Sequence, residues 1–375
     1  MASLLRLDRR RFEPIVCHFR PPDYLAPKLR AAGIEVRCLN VPPGKQHWPE
    51  LVLRIRSVAR DANVDLIHTS LFEADILGGL AGKLRGTPVI STLCNVAGER
   101  VRLTDNPRNN RFKFAVANWM WGGALRRWHR HSIAISDAVL QSTARTFHVA
   151  PERMTVIYRG LDESKQRLSV DKAAVRVRLG LSDADPFLLA IGRLAPQKGH
   201  KYLIAALPEL VRRFPRTRLA IVGDGWLGPA LLEQARALGV QDHVALLGKR
   251  TDVPELLAAC DVFVFPSLFE GLGVSLLEAS FAGCACLSTT TGPIPEIITH
   301  DVNGLLVPPG DSRELATALL RLAGDPALRA RLGDAAHANM KARFMLADKV
   351  ADLERCYTRL LSGDRPPASR HASPA

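Results

Sequence analysis

No run of 18 consecutive apolar residues occurs in the 375-residue sequence, so no stretch reads as a membrane-crossing helix. Met1–Arg11 is short and arginine-rich after one apolar turn, and no long apolar region follows, so it does not read as a signal peptide. No Cys-x-x-Cys pair occurs among Cys17, Cys38, Cys94, Cys260, Cys284, Cys286 and Cys356. The cysteines are therefore expected to be reduced, buried small hydrophobes of a cytoplasmic protein. Cys284 and Cys286 would share one strand face, but no histidine lies near them in sequence, which disfavours a metal site there. Acid is scarcer than base: 37 Asp and Glu face 51 Lys and Arg, for a net charge of +14. That suits nucleic acid, an anionic membrane or a phosphorylated substrate without choosing among them. No nucleic-acid motif accompanies the charge, so no nucleic-acid partner is expected. There is no internal repeat.

What is present is a regular alternation. In the first half, strands are expected at Phe12–Phe19, Ile34–Val41, Val64–Ser70, Thr87–Cys94, His131–Ile135 and Met154–Tyr158. Helices are expected at Pro22–Ala32, Trp48–Ala62, Phe72–Leu84, from Asn110 to about Trp128, and at Asp137–Phe147. A polar boundary at Leu161–Asp171 follows, and the pattern restarts with strands at Pro186–Gly192, Arg218–Gly223, Val244–Leu247, Val262–Phe265, Cys284–Ser288 and Gly304–Val307. Strand–helix alternation implies parallel βαβ units in doubly wound sheets. The expected division is a domain over 1–162, a second over 163–345, a helix over 346–361 and a disordered Pro/Ser/Ala/Arg-rich tail over 362–375.

Chemistry concentrates between Phe265 and Gly283. Pro266 and Ser267 end a buried strand, Gly271 and Gly273 let the backbone approach a partner closely, and Val274–Phe281 forms a mostly apolar helix. Glu270 and Glu278 interrupt this apolar run. They are eight residues apart, about 12 Å and roughly 80° on one helix. The helix N-terminus between them suits a phosphate. The plainer reading puts Glu278 on a solvated edge and Glu270 in an ordinary loop.

Gly192, Arg193 and Lys198 follow the first strand of the second half, at the sheet edge where α/β proteins bind ligands. Arg193 as a fork and Lys198 as a point charge suit a diphosphate, or else simply cap a loop. The turns at Gly223 and at Gly248-Lys249 face the same edge, and so does Glu296. Asp183-Ala184-Asp185 has the spacing of a divalent-metal motif but precedes a strand, so it reads as a turn.

With these residues laid out, the chain resembles the glycosyltransferases of family 4 from about Leu4 to Leu361. The matching motifs are Gly192-Arg193-Leu194 with Lys198-Gly199, Val222-Gly223-Asp224-Gly225, Glu270-Gly271 through Glu278-Ala279, Pro295-Glu296-Ile297-Ile298 and Asn303-Gly304-Leu305-Leu306-Val307. The resemblance implies the GT-B architecture, α/β with two Rossmann-like domains facing a cleft and the C-terminal helix packing back on the first domain. It also implies retaining transfer of a sugar from a nucleotide-diphosphate donor, without metal or other cofactor, to a glycan or lipid-linked acceptor. By resemblance Arg193 and Lys198 hold the diphosphate, Glu270 faces the sugar and Glu278 the ribose. Gly271, Leu272, Gly273 and Val274 bring backbone N–H groups to the donor. Glu270, Arg193 and Lys198 are the expected catalytic residues, and Gly192, Gly223, Gly248 and Lys249 complete the donor site.

Three departures stand out. The family opens with a strand, a glycine-rich loop and a helix, whereas this chain opens inside that helix, so the first domain is expected to lack its first strand. Cys94 stands where the family often has histidine, and Arg159 where asparagine is common. The acceptor side is placed at Cys94, Asn95 and Ser136. Asn106–Ser136 has no acid but many arginines and aromatics, which suits an anionic membrane surface on the inner face or a phosphorylated acceptor; the plainer reading puts the aromatics in the core and the cations on a solvated face. Cys94 and the missing strand motivate an alternative, a non-catalytic relative that only binds nucleotide-sugar.

Overall fold

The computed structural model describes residues 2–97, 110–162 and 170–364. In chain order the first stretch contains α1 (Ala2–Arg6), β1 (Ile15–His18), α2 (Ala26–Ala31), β2 (Glu35–Cys38), α3 (Trp48–Asp61), β3 (Ile67–Ser70), α4 (Phe72–Arg85) and β4 (Val89–Leu93). Next come α5 (Arg111–Arg127), β5 (His131–Ala134), α6 (Asp137–Phe147) and β6 (Met154–Val156). Then follow α7 (Lys172–Arg178), β7 (Phe187–Ile191), α8 (His200–Arg213), β8 (Arg218–Val222), α9 (Gly228–Ala237), β9 (Val244–Gly248), α10 (Val253–Ala259) and β10 (Val262–Phe265). The chain ends with α11 (Val274–Phe281), β11 (Ala285–Thr289), α12 (Ile294–Ile297), β12 (Leu305–Val307), α13 (Ser312–Gly324), α14 (Pro326–Arg343) and α15 (Leu346–Leu361).

Two compact units result. Among the described residues the first comprises 2–97, 110–160 and 346–364, and the second 161–162 and 170–345. The polar linker at 163–169 and the tail at 365–375 lie outside the described residues.

In the first unit β3–β4–β5–β6 form one parallel sheet, and β1–β2 form a separate parallel pair. β1 and β3 each pair on one side only among the described residues. Ile90, Ile133 and Ile157 on one sheet face pack with Leu346, Val350, Tyr357 and Leu360 of α15. Several elements, β1, β2, β3 and α2 among them, are shorter than the sequence suggested. β1 starts after Pro14, which lacks a ladder N–H. α2 starts at Ala26 because Asp23 Oδ1 accepts the Leu25 and Ala26 N–H groups (3.0 Å each) in a turn.

The second unit holds a six-stranded parallel sheet in the order β12–β11–β10–β7–β8–β9. β10 is interior, and Val262, Phe263, Val264 and Phe265 are all buried, as a parallel strand covered on both faces requires. The strand order reverses between β7 and β10, so their C-terminal ends mark the crevice where such sheets place ligands.

Candidate active site

The donor-side residues picked from sequence lie in the second unit, around the C-terminal ends of β7–β10. The turn after β7 is laced to the turn after β8: Gly192 N–H donates to Val222 O (2.9 Å) and Leu194 N–H to Asp224 O (2.9 Å). A Cβ on Gly223, whose φ is +145°, would sit 1.9 Å from the Gly192 carbonyl oxygen, so only glycine fits there. Gly223 N–H in turn donates to Gly248 O (2.8 Å), which ties in the turn after β9. Lys249 on that turn is exposed, 3.6 Å from the Asp224 carboxylate.

Gly199, at φ +64°, approaches the end of β10 so closely that a Cβ would meet Pro266 O at 1.9 Å. The approach brings Lys198 onto β10. Its ammonium pairs with Glu270 and lies 5.0 Å from the centroid of the Phe265 ring. Ser267 Oγ donates to the same Glu270 oxygen (2.8 Å). The side chains of Lys198 and Glu270 are only 15% and 8% exposed, so solvent screens their attraction little. Arg193 Nη2 donates to Gln197 Oε1 (2.8 Å), and Gln197 Nε2 donates to Phe269 O (3.0 Å).

α11 starts beside this pair. Its N-cap is Gly273, at φ +87° with no side-chain cap, and Gly271 and Leu272 before it are buried. Ser275 Oγ donates to Ile191 O (3.1 Å) and pins the first turn of α11 to the end of β7. Val274 is exposed at the helix start, and Glu278 is half-buried one turn further on. Two cations, a buried carboxylate and a helix N-terminus thus share one strand edge, and such an edge stabilises negative charge developing on a leaving group.

Sequence reasoning missed Ser267, Gln197 and the Phe265 ring. Ser267 had a signal, three residues before Glu270 where the strand stops, whereas Gln197 had none.

The acceptor-side residues sit on the first unit. Cys94 Sγ, just past β4, is 3.5 Å from Ser70 Oγ and 3.6 Å from Arg159 Nη2. Two departures noted separately in the sequence are therefore in contact. Asn95 is half-buried beside them. Ser136 is fully buried and accepts the Val139 N–H (3.2 Å) as the N-cap of α6. The basic stretch from 106 is described only from 110, and its aromatics divide. Trp121 Nε1 donates to buried Asp75 (2.8 Å) and Trp128 packs on the core, while Phe112 and Trp119 are 73% and 71% exposed. No described helix is long and apolar enough to cross a membrane.

Residues 171–339 match the family described as "Glycosyl transferases group 1", and residues 4–165 match "Glycosyltransferase Family 4". A D-inositol 3-phosphate glycosyltransferase of Saccharomonospora viridis is 30% identical over 321 residues, 81% of this chain and 73% of that protein. The UDP-Gal:alpha-D-GlcNAc-diphosphoundecaprenol alpha-1,3-galactosyltransferase of Escherichia coli is 27% identical over 321 residues, 84% of this chain and 80% of that protein. Among solved structures, Anabaena Alr3699/HepE in complex with UDP-glucose has a TM-score of 0.82 at 25% identity, over 95% of each chain.

Proposed function

Since the chain belongs to the family 4 glycosyltransferases, with a group 1 transferase domain in its second half, we propose that it transfers a sugar from a nucleotide-diphosphate donor with retention of anomeric configuration and without a metal ion. The observation that carries this reading is the convergence of Arg193, Lys198, Glu270 and the uncapped start of α11 on one sheet edge.

In this mechanism the bond between the sugar C1 and the diphosphate oxygen breaks, and its electron pair goes to the diphosphate. Arg193, Lys198 and the α11 N-terminus meet that growing charge and supply the positive charge the step needs. Glu270 orients the sugar hydroxyls and Glu278 the ribose. The acceptor oxygen forms the new bond to C1 from the face the diphosphate leaves, and its proton passes to the departing diphosphate.

The acceptor we assign is a glycan or a lipid-linked saccharide. Phe112, Ala115 and Trp119 are exposed at i, i+3 and i+7 of α5, with Arg111 and Lys113 exposed beside them. Such a stripe suits the surface of an anionic bilayer. The test is incubation with a panel of nucleotide-sugars and short lipid-linked saccharides in excess EDTA, reading nucleoside diphosphate release and the product anomer by proton NMR. Release yielding a product of inverted configuration, or transfer that EDTA abolishes, would contradict the mechanism. Donor binding without transfer to any acceptor would favour the alternative of a binding-only relative.

A further inference from the structure

β8 lies between β7 and β9, so the turn after it stands between the turn that carries Arg193 and the turn that carries Lys249. Trp226 ends that middle turn and is 61% exposed. Among the described residues its indole has no hydrogen-bonding, ring or cationic partner. A single exposed apolar side chain is ordinary. What sets this one apart is how its backbone is held. Leu194 N–H donates to Asp224 O (2.9 Å), and Leu227 N–H donates to Leu194 O (3.2 Å). These two bonds bracket Trp226, and both end on the residue that follows Arg193. Gly225, also between them, lies so close that a Cβ would meet Leu194 O at 2.4 Å. Asp224 Oδ1 accepts the Gly225 N–H (2.8 Å), and Gly223 N–H donates to Gly248 O (2.8 Å). The backbone around Trp226 is therefore clamped to the turn that presents Arg193, while its ring stays in water.

A large flat ring on a fixed backbone is a ready platform for a flat ligand, because few side-chain rotations remain to be frozen on contact. The flat part of a nucleotide-diphosphate donor is its base. With the sugar at Glu270 and the diphosphate at Lys198, Arg193 and the start of α11, the base lies at the far end of the donor. β10 and β8 are two strand positions apart in the sheet, which is about 10 Å and leaves room for the ribose between. We propose that Trp226 is the stacking platform for the nucleobase of the donor. The inference rests on the donor-site reading above and adds a residue to it. Every base has a π face, so the stack supplies affinity without choosing among bases.

Calorimetric titration of UDP, GDP, UDP-glucose and inorganic pyrophosphate into wild type, K198A, W226A and W226F tests it. W226A should bind UDP and GDP roughly 5- to 150-fold more weakly, the span of one base on one aromatic ring, and should hold pyrophosphate as wild type does. K198A should weaken all four. W226F should keep most of the UDP affinity, since it keeps a ring. Neither Trp226 variant should lower the melting temperature, because the side chain is exposed. Trp226 is also the one tryptophan of the second unit, so UDP should quench the tryptophan emission of wild type and not that of W226F. Wild-type UDP affinity in W226A, a loss as large for pyrophosphate as for UDP, or a loss confined to UDP-glucose overturns the inference alone. So does quenching that persists in W226F. Failure of wild type to bind either UDP or GDP overturns the donor-site reading and this inference with it.

Discussion

The Lys198 ammonium and the Glu270 carboxylate hold each other across two loops, with the Phe265 ring beside the lysine and the Ser267 hydroxyl on the carboxylate. Each is the other's charge partner in a shielded place, so removing one leaves the other buried and unpaired. K198A should therefore lower both the melting temperature and turnover. A hydrogen bond to a charged group contributes about 1.5–3 kcal/mol, which corresponds to roughly a 10- to 150-fold loss in kcat/KM. Adding E270Q to K198A should restore stability, by removing the stranded charge, without restoring turnover. Melting curves and initial rates for the single and double variants check both halves. A double variant that regains activity would place the pair outside the reaction.

Gly223 offers a test that touches no charge. G223A would drive a methyl group into the Gly192 carbonyl at a left-handed φ. Strain of this kind costs about 1–3 kcal/mol, which lowers the melting temperature by roughly 2–12 °C in a unit of this size. Because the turn after β7 must move, diphosphate affinity should fall with it. A G223A protein with wild-type melting and binding would show that the turns are not coupled.

The first unit should be sensitive to acid. Burial pushes His129 and His131 down to about 4, with the Arg153 guanidinium adding to both. Between about pH 4 and the ordinary histidine value of 6.5 the unfolded chain binds those protons and the folded chain does not. Stability is therefore present above that window and lost as pH falls through it. Asp75 opposes this. Burial raises it to about 6 despite donors from Thr69, Ser91 and Trp121, so below that pH the folded state holds a proton the unfolded carboxylate has released. Burial pushes His68 of the same unit down to about 4 as well, so with three histidines against one raised aspartate the net slope is loss of stability on acidification. Four of the five tryptophans, Trp48, Trp119, Trp121 and Trp128, lie in the first unit, so tryptophan fluorescence melts from pH 7.5 to 4.5 report on it. H131N should flatten the slope, and an unchanged slope would assign the acid sensitivity elsewhere.

F112A/W119A should weaken sedimentation with anionic vesicles and leave donor binding intact. Each cation near such a surface contributes about 1 kcal/mol, so binding should also fall as salt rises. Equal binding to neutral and anionic vesicles would count against the membrane reading of α5.

Much of this was legible in the sequence because the signals were local. Val262–Phe265 is an unbroken β-branched and aromatic run, and the structure makes it an interior strand with the bounds read from sequence. Val274–Phe281 likewise follows from Gly273 and an apolar run. Long-range pairings were not legible. Nothing near Lys198 in the chain points to Glu270, and the contact between Cys94 and Arg159 joins strand ends 65 residues apart. The ends of β1 and α2 were misjudged because Pro14 and the Asp23 turn outweigh hydrophobic pattern locally.

The most direct test of the account is titration of wild type and K198A with UDP- and GDP-sugars, measured by calorimetry in EDTA. Saturable binding of a nucleotide-sugar by wild type, weakened at least tenfold in K198A on the charged hydrogen-bond scale, is the result the account predicts. No binding of any nucleotide-sugar, or equal binding by a folded K198A protein, would contradict it.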